Sequence, residues 1–164
     1  MGCSMWHSKL RVLVVEDDEP KLAAIERFLN EEHSSIKLFV AKSLTSAVQM
    51  LSNETIDFAI VDMSIPTYDF SRDRAGGGRP EAFGGEDIVR FIESESPETA
   101  YVILTQYEQF GADDFSVPTS LAELRNRLSE SLGRNFFGVI HYSDQLGKWR
   151  EEIKKVIDSV REKR

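Results

Sequence analysis

Two short apolar runs end in acids, one at Glu16-Asp17-Asp18 and one at Asp62, and a third ends in the hydroxyl of Thr105. Carboxylates at the ends of neighbouring strands repel one another unless a cation sits among them. A hard divalent ion resolves the conflict. Magnesium suits an all-oxygen site that keeps several waters and takes one or two direct carboxylates, leaving positions for a phosphoryl oxygen. Softer metals lack donors here, since Cys3 is the single cysteine and His7, His33 and His141 are scattered along the chain. A carboxylate beside such an ion can attack phosphorus and become an aspartyl phosphate, while the ion neutralises the charge developing on the equatorial oxygens. The expected roles follow: Asp62 is the nucleophile, and Glu16 and Asp17 hold the ion directly or through water. Ser64 offers its backbone carbonyl to the ion, and Thr105 holds a phosphoryl oxygen.

These residues need a scaffold that gathers strand ends on one rim. Leu10-Arg11-Val12-Leu13-Val14-Val15 is a short apolar run entering a polar loop, the pattern of a buried parallel strand. From Pro20, in a first helical turn where its missing N–H costs nothing, Leu22, Ile25, Phe28 and Leu29 recur at helical spacing. The alternation repeats with a strand over 36–40, then a helix capped by Ser43 with Leu44, Ala47, Val48 and Leu51 on one face. A strand over 56–61 ends at Asp62 and precedes a helix marked by Ile88, Val89, Phe91 and Ile92. A strand over 101–104 ends at Thr105. Ser120-Leu121-Ala122-Glu123 carries a capping-box pattern, and Leu121, Leu124, Leu128 and Leu132 continue that helix. A fifth strand over 136–142 and a closing helix with Leu146, Trp149, Ile153, Val156, Ile157 and Val160 exhaust the chain. Five βα units predict an α/β fold with helices on both faces of a parallel sheet, and ligands then bind beyond the carboxyl ends of its strands.

The chain has 164 residues and a net charge of −8, with 28 acidic against 20 basic side chains, which argues against non-specific attraction to nucleic acid or anionic lipid. A lone cysteine fits a reducing compartment, and no run is long enough to span a bilayer, so a cytoplasmic protein is expected. Met1-Gly2-Cys3-Ser4-Met5-Trp6 lacks the small hydroxyl residue of an acylation signal, because Trp6 occupies its place. Residues 1–9 read as an N-terminal extension and 10–162 as one domain without an output domain. Two connections, 67–85 and 106–119, are longer than the minimal unit needs and lie on the same rim as the acids. Gly76-Gly77-Gly78 in the first is not followed by the Gly-Lys-Ser/Thr of a phosphate loop.

From Leu10 to about Val160 the chain resembles the response-regulator receiver (CheY-like) family. The likeness rests on Leu13-Val14-Val15-Glu16-Asp17-Asp18-Glu19-Pro20, Val61-Asp62-Met63-Ser64-Ile65-Pro66, Gly84-Gly85-Glu86-Asp87-Ile88-Val89 and Ile103-Leu104-Thr105. The resemblance implies a flavodoxin-like, doubly wound five-stranded (βα)5 sheet of order 2-1-3-4-5. It also implies Mg2+ on the positions matching Asp17 and Asp62, phosphoryl transfer to Asp62 from a sensor histidine kinase or phosphotransfer protein, and a switching role for Thr105. Output would pass to a downstream protein target by contact, from a monomer or a weak homodimer through the fourth helix, fifth strand and fifth helix.

The family carries a lysine at the end of its fifth strand, whereas this chain reads Val139-Ile140-His141-Tyr142-Ser143, with no lysine until Lys148. His141 aligns best with that position and Tyr142 next. An imidazole is shorter than a lysine and only partly charged at neutral pH, so weakened phosphorylation or signal transmission is expected. Gln106 also stands where the family favours a small residue. A degenerate receiver acting as a phosphorylation-independent interaction module is the alternative. A Toprim-like metal-dependent nuclease shares the glutamate after the first strand but needs a following glycine and a later Asp-x-Asp pair, where Asp17 and Asp62-Met63-Ser64 stand instead. The latter triplet also lacks the second aspartate of a haloacid-dehalogenase-type phosphatase.

Overall fold

Alternating apolar side chains along each strand supply two cores at once. In the computed structural model, which describes residues 8–32, 35–68, 84–106, 109–110, 119–143 and 147–164, β1 (Leu10–Val15) turns Leu10, Val12 and Val14 to one face and Leu13 and Val15 to the other. β3 (Phe58–Val61) and β4 (Ala100–Thr105) divide their residues in the same way. With β2 (Ile36–Ala41) and β7 (Phe136–His141) they form a five-stranded parallel sheet of order β2-β1-β3-β4-β7. Counting the strands of this sheet alone, the order is the 2-1-3-4-5 that the resemblance implies.

One face is covered by α1 (Glu19–Glu32) and α5 (Lys148–Glu162) through Leu22, Ile25, Phe28, Leu29, Trp149, Ile153 and Ile157. The other is covered by α2 (Leu44–Asn53), α3 (Gly84–Glu95) and α4 (Leu121–Ser131). Both expected caps form: the Ser43 and Ser120 side chains each accept from the backbone N–H three residues on, and each serine's own backbone N–H donates in return to that third residue's side chain. Element ends differ from the sequence reading by one or two residues, as fraying ends and short strands commonly do. Inside the second long connection, Gln109–Phe110 (β5) and Thr119–Ser120 (β6) pair as a small antiparallel ladder. Residues 107–108 and 111–118 of that connection, 69–83 of the first one, and Leu146 fall outside the described residues.

Candidate functional site at the carboxyl rim

β1 and β3 are hydrogen-bonded neighbours with Val15 opposite Val61, so the residues that follow them, Glu16 and Asp62, emerge side by side. One carboxylate oxygen from each of Glu16, Asp17 and Asp62 lies within 4.8 Å of the others. The backbone fixes this rim: the Asp62 N–H donates to the Val15 carbonyl at 3.0 Å, and the Glu16 N–H donates to the Ala41 carbonyl at 3.0 Å. Asp18 stands apart as a cap, its Oδ2 accepting from the Lys21 N–H at 3.1 Å. Behind Asp62, the first turn of α3 comes so close that a Cβ on Gly85 would lie 2.1 Å from the Asp62 carbonyl oxygen. The Gly85 N–H donates to the Met63 carbonyl at 2.8 Å, so a glycine is required where helix and acidic loop meet.

Crowding and burial show in the acidities. Burial, then the Asp62 charge, pushes Glu16 from 4.5 up to about 7, even though Lys21 pulls it down. Asp62 is raised by burial against the opposing pull of Lys21, and Asp17 is raised chiefly by burial. Three carboxylates with one ammonium leave an excess of negative charge, and their hard oxygen donors fit a divalent ion such as Mg2+.

That ammonium belongs to Lys21. Its side chain rises from the first turn of α1, and the residue is 2% exposed. Nζ lies 2.7 Å from Glu16 Oε2, 3.0 Å from Asp62 Oδ1 and 2.8 Å from the Leu104 carbonyl oxygen, one acceptor for each of its three N–H bonds. Asp62 Oδ1 also accepts from the Met63 N–H at 2.9 Å, so two donors converge on that oxygen.

No family model matches the sequence. The uncharacterized protein y4jR of Sinorhizobium fredii is 32% identical over 149 residues, spanning 88% of this chain and 95% of that one. The Detocs response regulatory protein DtcB of Enterobacter cloacae is 23% identical over 152 residues, 92% of this chain and 100% of its own. A CheY-like receiver domain from Methanospirillum hungatei shares the fold at a TM-score of 0.65 and 18% identity, covering 96% of this chain and 100% of that one. The chain has the fold of the response-regulator receiver (CheY-like) domains. Another receiver-fold structure, the response regulator TrrA of Thermotoga maritima in complex with Mg2+-BeF, superposes at a TM-score of 0.59 with 19% identity, over 90% of this chain and 98% of its own.

In this receiver-like fold, Thr105 is fully buried at the end of β4, in register with His141 of β7, and Ser64 is half-buried two residues beyond Asp62 in the same loop. His141 is half-buried, with its Nε2 3.3 Å from the Gln106 carbonyl oxygen. Among the described residues the cation touching the acids is Lys21, which the sequence reading did not single out. A signal for it existed: Lys21 precedes Ile25 by four residues and Leu29 by eight, which puts it on the buried stripe of α1. None of the described helices is long and apolar enough to cross a membrane.

Proposed function

We propose that this receiver accepts a phosphoryl group on Asp62 in a Mg2+-dependent reaction and signals the change through contacts with another protein. The observation that carries this reading is the convergence of Glu16, Asp17 and Asp62 within 4.8 Å at the carboxyl rim. It is supported by the magnesium and fluoroberyllate on the similar TrrA and by the response-regulatory designation of DtcB. Glu16, Asp17, Asp62 and the Ser64 carbonyl would hold the ion. When bound, it would neutralise charge on the oxygens of the phosphoryl group being transferred.

Because Lys21 and the Met63 N–H both occupy Oδ1, Asp62 Oδ2 is the oxygen that attacks phosphorus. With a phosphohistidine donor, the O–P bond forms as the P–N bond breaks, and the departing imidazole takes up a proton. With acetyl phosphate, acetate leaves instead. Thr105, at the end of the adjacent strand, donates its hydroxyl to one of the phosphoryl oxygens. A histidine kinase or phosphotransfer protein is the natural donor, and the cytoplasm is the compartment where such a donor would be met.

The test is intact-mass analysis after incubation with acetyl phosphate and Mg2+. One phosphoryl group is expected on the wild type, with none on Asp62→Ala and none when the metal is chelated. Equal labelling of wild type and Asp62→Ala would remove Asp62 from its role. Absence of labelling in both, with partner capture intact, would favour the phosphorylation-independent interaction module.

A further inference from the structure

We infer that Lys21, reaching in from the first helix, is the catalytic cation of this receiver: it holds the acidic site before transfer and grips a phosphoryl oxygen on Asp62 afterwards. The inference rests on the phosphoacceptor reading of Asp62 and names the group that completes its site. Lys21 is the one lysine buried among the described residues, and its three donors all end within the site. Burying an ammonium is unfavourable unless it is paired and hydrogen-bonded, so a lysine in this slot is expected only where it has charge to neutralise. Its backbone N–H donates to Asp18 Oδ2, and its Nζ stands over the ring of Tyr142, 5.7 Å from the ring centroid.

Lys21 supplies from α1 the cation that strand five does not. Strand alternation sends Leu104, Ile140 and Tyr142 to the α1 and α5 face, the face from which Lys21 enters. Transfer converts the Asp62 carboxylate into an acyl phosphate, in which Oδ1 becomes a weakly accepting carbonyl and the charge moves outward onto phosphoryl oxygens. A lysine, with a flexible four-carbon stem and three rotatable donors, can follow that charge while keeping its bonds to Glu16 and Leu104.

The experiment compares wild type, Lys21→Met, Lys21→Arg and His141→Ala by the rate of intact-mass labelling with acetyl phosphate and Mg2+, and measures Mg2+ binding to each by calorimetry. Lys21→Met is expected to label about tenfold more slowly or worse while still binding Mg2+, a split that a merely structural lysine would not give. Wild-type rates in Lys21→Met, or a comparable loss confined to His141→Ala, would overturn the inference and leave the phosphoacceptor reading standing. An unlabelled wild type would overturn both. Should the Lys21 variants not fold, lysine ε-15N NMR of the wild type decides: the solvent-protected Lys21 ammonium signal is expected to move when beryllium trifluoride and Mg2+ are added. An unmoved signal, with 19F NMR showing the site occupied, would overturn the inference.

Discussion

At the scale of single residues, the site combines two buried carboxylates that share one ammonium with a third acid at their edge. Glu16 has its folded-state pKa raised from 4.5 to about 7, so between those values the folded protein holds a proton that the unfolded chain has lost. Stability from this group is therefore fully present below about pH 4.5 and is lost as pH rises through 7. In the presence of a chelator, thermal unfolding should show a melting temperature that declines from pH 5 toward pH 8, and Glu16→Gln should flatten that decline. A wild-type profile that rises across the same interval would show that the ion pair with Lys21 outweighs burial. The acids themselves were legible in the sequence because each follows an apolar run, and strand adjacency then makes them converge. Lys21 was not legible by the same route: lysines are rarely buried, so a search for apolar periodicity passes over one even when it lies on the buried stripe.

Among the elements, α3 is placed by close backbone approach. Its opening Gly84-Gly85 pair fits against the loop that carries Asp62, where a Cβ on Gly84 would stand 2.2 Å from the Ile65 carbonyl oxygen. Gly85→Ala should therefore lower stability by about 2 kcal/mol or more in denaturant unfolding. Because the displaced backbone carries Asp62 and Met63, labelling of Asp62 should slow as well. A variant as stable as wild type would mean that helix and loop can separate without cost. Helix α3 is also tied to α4, since the buried Glu86 carboxylate accepts from Arg90 at 3.2 Å and from Arg127 at 3.3 Å. The strands, the helices and both serine caps could be read from spacing alone, because period two and period 3.6 are distinct and a capping box is local. Strand ends and the β5–β6 ladder could not: two-residue strands carry no period, and the exact end of a parallel strand depends on its neighbour's register.

For the whole molecule, the two sides of the sheet carry different connections to the acidic rim. Thr105 follows the alternation of Tyr101 and Ile103 toward the α3 and α4 side, whereas Lys21 and Tyr142 belong to the α1 and α5 side. On the latter side an aromatic chain leads away from the site. Tyr142 packs on Trp149 with centroids 5.2 Å apart, and Trp149 meets Phe28 edge-on at 5.4 Å. Trp149 is 1% exposed and its indole N–H has no hydrogen-bond partner, so its emission should respond to small movements of the ring above it. If Lys21 shifts toward a phosphoryl oxygen, its position over Tyr142 changes and that movement passes into the contact between α1 and α5. The sequence holds two tryptophans, Trp6 and Trp149, so a Trp6→Phe background isolates the second. In that background, beryllium trifluoride with Mg2+ should change the Trp149 emission, and the change should vanish in Asp62→Ala and shrink in Lys21→Met. An emission that stays constant while 19F NMR shows the site filled would place the whole switch on the Thr105 side of the sheet.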